Sequence, residues 1–310
     1  MKAAVVEHRG QSGTVKEVAA PQPGPHDVLV RVVAAGVNPI DWKRRDRPES
    51  PLPLVLGQDF AGIVSDVGDR VTKYRKGERI FGISREHGTY AQYTLVPEDD
   101  RAQPIAKIPD DVGDADAAAL PTAGLTALGA IETLSVSKGT PLLVLGATGG
   151  VGSYAVQIAR DRGAQIVGSA RSSNESLARS LGVDKFVAYD KEDAAERLRG
   201  SDIEAALDLV DDSDGIKRLA GVIREGGRIV STIGAADVGW FATRKIAATN
   251  LYAVDTPQWS HAGLRTLLEL VEQGRIRTMI AGERPLAEAV DALEESKSGS
   301  VDGKLVITID

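Results

Sequence analysis

The sequence predicts an α/β protein built from a β-rich domain and a doubly wound parallel sheet, and three observations carry that prediction. Residues 1 to about 117 alternate short apolar runs with Gly and Pro, the pattern of strands closed by tight turns. From Asp116 to about Thr256, apolar runs of strand length alternate with helical stretches, as parallel strands joined by crossover helices require. Within that second region, Pro141-Leu-Leu-Val-Leu-Gly146 passes through Ala147-Thr148-Gly149-Gly150-Val151-Gly152 directly into a helical stretch at 153–162.

In order, the first region is expected to form strands at 3–7, 28–35, 62–67, 79–82 and 90–96. The second is expected to form strands at 142–145, 165–169, 186–189, 205–210, 228–233 and 251–254. A helix at 261–273, a strand at 276–280, a helix at 286–298 and a strand at 304–309 read as a return of the chain to the first domain. Domains are therefore expected at 1–117 together with 257–310, and at 118–256. There are no evident repeats or long low-complexity linkers.

Glycines let a backbone turn sharply and approach a pyrophosphate. A helix start adds unpaired N–H groups and a partial positive charge. The stretch 141–159 is thus a candidate dinucleotide cradle, which points to cofactor redox chemistry. Ala147 holds the first position of the glycine fingerprint, followed by Gly149 and Gly152.

An NAD-preferring site usually carries a carboxylate at the end of the next strand, where it binds the ribose 2′-hydroxyl. Here the chain reads Gly168-Ser169-Ala170-Arg171-Ser172-Ser173, with no acid there to repel a 2′-phosphate. Arg171 and the two serine hydroxyls could hold that phosphate by charge-assisted bonds of roughly 1.5–3 kcal/mol each, so NADPH is favoured over NADH. The alternative is a surface arginine beside serines that cap the next helix.

The 310 residues, 42% of them hydrophobic, suffice for two cores. A net charge of −7 gives no basic footprint for nucleic acid or an anionic membrane. The N-terminus lacks a signal-peptide core and no apolar run reaches membrane-span length, so the cytoplasm is the expected compartment. With no cysteine, a disulfide, a thiol nucleophile and a thiolate-bound zinc are all excluded. His8, His26, His87 and His261 are scattered without ligand spacing, and no metal is expected.

Six ordered motifs span nearly the whole chain: Ala35-Gly-Val-Asn38-Pro39-Ile-Asp41-Trp-Lys43-Arg44-Arg45, Leu56-Gly57-Gln-Asp59-Phe-Ala61-Gly62, Gly88-Thr-Tyr90-Ala91-Gln-Tyr93, Pro121-Thr-Ala-Gly124-Leu-Thr126-Ala127, Gly146–Gly152 and Asp302-Gly303-Lys304. With these motifs the chain resembles the zinc-independent quinone oxidoreductase branch of the medium-chain dehydrogenase/reductases, which also holds alkenal/enone reductases and enoyl-thioester reductases. The resemblance implies a GroES-like β-rich catalytic domain and a Rossmann domain, with the nicotinamide in the cleft between them. Zinc-dependent relatives carry cysteine where this chain has Asn38, in agreement with the missing cysteines.

The resemblance further implies catalytic roles for Asn38 and Lys43, and the strand pattern adds Tyr90 as a catalytic candidate at the pocket. Together, the residue pattern and the resemblance give as expected coenzyme contacts Asn38, Thr122, Ala147, Thr148, Gly149, Gly150, Val151, Gly152, Ser169, Arg171, Ser172, Tyr189, Ser231, Thr232, Ile233 and Lys304. Without a metal to polarise a carbonyl, hydride delivery to the β-carbon of an enone, enal or quinone asks for less than alcohol oxidation. The developing enolate needs only hydrogen-bond donors or a cation, then a proton. Lys43 could be that cation. It stands where some quinone reductases have tyrosine, and Asp-Trp-Lys-Arg-Arg looks more like the alkenal/enone subgroup.

Plainer roles stay open beside these. Asn38-Pro39 is also a good turn, Lys43-Arg44-Arg45 could be a solvated helix face, and Thr122 or Thr126 could cap or pack a helix. Tyr90 and Tyr93, three apart on one expected strand, should face opposite ways, with Tyr90 the one lining the cleft. Asn174 stands where many relatives carry a phosphate-binding lysine, leaving that charge to Arg171. Trp240, Phe241 and Trp259 could form a substrate wall or a subunit contact. The strand at 251–254 resembles a family edge strand that pairs across a dimer, so a homodimer is expected.

Overall fold

The computed structural model describes residues 1–310, which divide into two units: Met1–Ala123 with Trp259–Gln273 and Thr278–Asp310, and Gly124–Gln258 with Gly274–Arg277. In chain order the first unit begins with β1 (Lys2–Val6), β2 (Thr14–Glu17), β3 (Asp27–Gly36), α1 (Pro39–Asp46) and β4 (Leu54–Val55). It continues with β5 (Asp59–Val67), β6 (Arg79–Ile83), β7 (Tyr93–Pro97), β8 (Ile105–Lys107) and α2 (Asp114–Ala119), and the boundary falls in α3 (Pro121–Thr133).

The second unit alternates strand and helix, as its sequence pattern requires: β9 (Pro141–Leu145), α4 (Gly150–Asp161), β10 (Gln165–Ala170), α5 (Glu175–Leu181) and β11 (Lys185–Ala188). Then follow α6 (Ala194–Arg197), β12 (Ile203–Asp208), α7 (Ser213–Arg218), β13 (Ile223–Ser231), α8 (Val238–Ala242) and β14 (Ala247–Asn250). The chain closes in the first unit with α9 (His261–Glu272), β15 (Ile280–Pro285), α10 (Ala289–Lys297) and β16 (Lys304–Thr308).

The second unit is one six-stranded sheet in the order β11-β10-β9-β12-β13-β14, parallel throughout. The chain leaves β9 toward one edge and returns to build the other, so the order reverses beside β9, where open α/β sheets bind ligands. Strand β9 is buried along Leu142–Leu145, and Leu143, Leu145, Val187, Ala206, Ile229 and Phe241 share one core. Each of the larger side chains among them gains roughly 1.5–3 kcal/mol on leaving water, set against the entropy of ordering the chain.

In the first unit, β3 alternates buried Val28, Val30 and Val32 with more exposed neighbours, a period of two that directs one face to the core. Its seven-stranded sheet runs β15-β16-β3-β5-β6-β8, with β7 also paired to β3, and a three-stranded sheet runs β2-β1-β4. Leu293, Leu305 and Ile307 from the chain's end pack with Val30, Phe60 and Tyr90 in one core. No helix is long and apolar enough to cross a membrane.

The structure moves several expected strands. The edge strand expected at 251–254 lies at β14, because Ala247–Asn250 pairs in register with Arg228–Ser231, while Ala253–Asp255 forms a 3-10 turn. The strand expected at 276–280 lies at β15, whose alternating partly buried and exposed residues pair with β16. Strands β2, β4 and β8 carry two to four residues each, too few for a periodic signal. Strand β7 starts only at Tyr93, so Tyr90 lies in the preceding bend.

Candidate active site

In the second unit the glycine turn leaves the carboxyl end of β9. Gly146 has φ +82°, in the left-handed region, and its N–H and that of Ala147 both donate to the Ser169 carbonyl, at 3.0 and 2.9 Å. Ser169, itself buried, therefore pins the turn through its backbone. Helix α4 starts after Gly149, which provides no side-chain cap. The first N–H groups of a helix have no partner inside it, so the opening turn at Gly150, Val151 and Gly152 presents bare donors at the positive end of the helix dipole.

Space around the glycines separates two roles. A Cβ on Gly149 would meet only the Gly146 oxygen, at 3.5 Å, whereas a Cβ on Gly152 would lie 2.0 Å from that oxygen. Gly149 leaves the cradle open, and Gly152 lets α4 close onto the turn. An open backbone surface over uncapped helix donors fits the pyrophosphate of a nicotinamide dinucleotide. Ala147 is fully buried behind the turn, and Thr148 accepts a bond from the Asn174 amide at 3.4 Å.

Three exposed apolar side chains mark the same edge of the sheet. Tyr189, Val210 and Ile233, at 51%, 58% and 43% exposure, stand one or two residues beyond the carboxyl ends of β11, β12 and β13. Large exposed apolar groups gathered at a ligand-binding edge suit flat rings such as adenine or nicotinamide. Val210 is absent from the site residues expected from the sequence; its signal is the apolar pair Leu209-Val210 directly after a strand ending in Asp208.

Beneath that edge, Asp208 is fully buried, and burial pushes its carboxyl up against the bonds it accepts. The donors are Ser231 Oγ at 2.6 Å and the Val210 and Asp211 amides at 3.1 and 2.9 Å. Ser231 Oγ in turn accepts from Ala235 N at 3.1 Å. Ser231, expected to touch the coenzyme, is 0% exposed and instead shapes the turn that carries half-exposed Thr232 and exposed Ile233.

At the end of β10, Arg171 is exposed and its Nε donates to the Tyr189 hydroxyl at 3.1 Å. Ser172 donates both its N–H and its Oγ to the Asp190 carboxylate, each at 2.7 Å. The expectation of no acid beside Ser172 is thereby corrected. Parallel pairing of Ala170 with Ala188 sets the ends of β10 and β11 side by side, so the acid comes from the neighbouring strand. The Ser172 bonds hold the Asp190 carboxyl below the usual carboxylate range.

The first unit gathers its expected residues into a buried network. Asn38 is 2% exposed; its amide nitrogen donates to Asp59 Oδ2 at 2.9 Å and to the Gly36 carbonyl at 3.4 Å. The Lys304 ammonium donates to Asn38 Oδ1 at 2.5 Å and to the Val37 carbonyl at 2.6 Å. Asp59 also accepts from Thr122 N at 3.0 Å and Thr122 Oγ1 at 2.5 Å, while Gln58 donates to that hydroxyl at 2.7 Å. Burial pushes the Asp59 carboxyl up, opposed first by the facing Lys304 charge and then by these bonds, and burial pushes Lys304 down.

Asp41, at the third position of α1, accepts from Asn38 N at 2.9 Å and from the Tyr90 hydroxyl at 2.8 Å, both on Oδ2. Its Oδ1 is buried without a partner. Burial, and then the nearby Asp59 charge, push the Asp41 carboxyl up to about 7. Tyr90 is 0% exposed, and burial raises its phenol well above the usual range. Its hydroxyl donates to Asp41 and so clamps the start of α1.

Lys304 and Asn38 are likewise buried and bonded within this network, and the Lys304 charge is offset there by bonds to the Val37 carbonyl and to Asn38 Oδ1. Lys43, on α1, differs. It is half-buried, its ammonium lies 5.5 Å from the Trp42 ring centroid, and no carboxylate pairs with it. Of the aromatic residues expected to wall a substrate, Phe241 is 0% exposed, and Trp259 is 5% exposed with its ring N–H bonded to the Ala102 carbonyl at 3.1 Å. No three His, Cys, Asp or Glu side chains converge in an arrangement that could hold a metal ion.

Comparison with known proteins agrees with this geometry. Family models described as "Alcohol dehydrogenase GroES-like domain" and "Zinc-binding dehydrogenase" match residues 24–110 and 181–307. The chain is 34% identical to the 2-methylene-furan-3-one reductase of Solanum lycopersicum, over 94% of this chain and 74% of that protein. The quinone oxidoreductase of Coxiella burnetii superposes with a TM-score of 0.91 at 30% identity, over 100% of this chain and 99% of that one. The Escherichia coli quinone oxidoreductase complexed with NADPH superposes with a TM-score of 0.90 at 25% identity, over 99% and 100%. By these likenesses, its paired GroES-like and doubly wound folds and its glycine cradle, the chain belongs to the quinone oxidoreductase and alkenal/enone reductase branch of the medium-chain dehydrogenase/reductase superfamily.

Proposed function

We propose that the chain is an NADPH-dependent, zinc-free reductase of an activated double bond, an enone or enal. The observation that carries this reading is the open cradle over the first turn of α4, flanked by Arg171 and by the apolar row Tyr189, Val210 and Ile233. When bound there, a reduced nicotinamide would supply the hydride. The α4 donors would hold its pyrophosphate and Arg171 its 2′-phosphate, and Ile233 and Val210 would offer its rings apolar surface. Lys43, with no carboxylate to neutralise it, stabilises negative charge on the substrate oxygen and stands ready to donate a proton. Asn38, Asp41, Tyr90 and Lys304 hold the helix that carries it.

Quinone reduction on the same residues is the second reading, favoured by the solved quinone oxidoreductases that superpose on the chain. Lysine at position 43 and the likeness to a 2-methylene-furan-3-one reductase favour the enone. NADPH turnover against a panel of enones, enals and quinones separates the two. Tight NADPH binding with neither activity would mark a non-catalytic coenzyme-binding protein and refute both. The subunit contact proposed is a homodimer joined through edge strand β14, whose outer ladder is otherwise unpaired. Light scattering that reports a monomer at micromolar concentration would refute that contact.

A further inference from the structure

We propose that Asp190 is a built-in rival of the coenzyme's 2′-phosphate and limits how strongly the chain prefers NADPH to NADH. This rests on the coenzyme reading above. A phosphate at the end of β10 needs backbone N–H, hydroxyl and cationic donors, and the chain offers Ser172 N, Ser172 Oγ and Arg171 there. The first two are already spent on the Asp190 carboxylate, at 2.7 Å each. The third is not spent on an anion, since Arg171 makes only its bond to the Tyr189 hydroxyl and has no carboxylate partner.

One end of this anion seat is thus filled by the protein itself and the other stands open. A 2′-phosphate reaching Arg171 must displace Asp190 from Ser172 or lie beside its charge, and both oppose binding. A 2′-hydroxyl carries no charge and leaves the two Ser172 bonds intact. Asp190 is exposed and lies two residues beyond the end of β11, so it can swing aside without disturbing the sheet. The carboxylate accordingly weakens NADPH while sparing NADH.

The test is calorimetric binding of NADP⁺ and NAD⁺ to the full chain and to two variants, Asp190→Asn and Asp190→Ala. Thermal unfolding is followed in parallel to show that each variant is folded, and either variant alone is sufficient if the other fails. The expected result is about tenfold tighter NADP⁺ binding, equivalent to about 1.4 kcal/mol, with NAD⁺ affinity within about twofold. An unchanged ratio of the two affinities overturns the proposal. So does weakened NAD⁺ binding without a gain for NADP⁺, because the carboxylate would then be a ribose-holding group. Failure of the wild-type chain and both variants to take up either coenzyme overturns the coenzyme reading itself, an outcome distinct from both.

Discussion

The two units use polar residues in opposite ways. In the first, Asn38, Asp41, Asp59, Tyr90 and Lys304 are all at most 3% exposed and bond into one network at the start of α1. In the second, the glycine turn, Arg171 and the row Tyr189, Val210 and Ile233 keep surface and donors available. Likeness to a family marks both sets equally, but only burial tells a group that grips a ligand from one that grips its neighbours. Lys43, also on α1, stands outside that network, and no carboxylate pairs with its ammonium.

The sharpest way to break this contrast is Lys304→Met. It leaves Asp59 buried without its counter-charge, which should cost about 3–5 kcal/mol of stability in urea unfolding. A loss below about 1 kcal/mol would mean that the network is not ionic. Next is pH. Asp41 holds its proton up to about 7 when folded, against an ordinary carboxylate in the unfolded chain. Its contribution is therefore complete in acid and is lost as pH rises toward and through 7, with a slope of at most about 1.4 kcal/mol per pH unit. Asp41→Asn should flatten the stability profile between pH 4 and 7, and an identical slope in both proteins would contradict the assignment.

Smaller effects sharpen the contrast at the exposed groups. Lys43→Met should lower kcat about ten- to hundredfold, or about 1.4–2.7 kcal/mol of barrier, and leave coenzyme affinity unchanged. An unaltered kcat would return Lys43 to the solvated face. Arg171→Ala should weaken NADPH about tenfold, equivalent to about 1.4 kcal/mol, and NADH by less than twofold. Equal weakening of both would remove the phosphate contact.

What the sequence made legible follows the same divide. The cradle is contiguous, strand, turn and helix within twenty residues, so its geometry could be read from local pattern alone. The buried network joins Lys304 to Asn38 across 266 positions, and no local pattern shows that an asparagine amide is already occupied at both ends. Asp190 escaped notice because parallel pairing, not chain order, brings it to Ser172. Strands β14 and β15 were displaced in expectation because Ala247–Asn250 and Ile280–Pro285 carry few large apolar residues, and adjacent apolar stretches drew the assignment.

The most direct test follows deuterium from NADPH labelled on the transferring carbon of its nicotinamide to a simple enone, in buffer containing a strong chelator. Deuterium on the product carbon β to the carbonyl, at a rate the chelator leaves unchanged, is the expected result. No oxidation of NADPH, or activity abolished by the chelator and restored by a divalent salt, would contradict the proposed metal-free reduction.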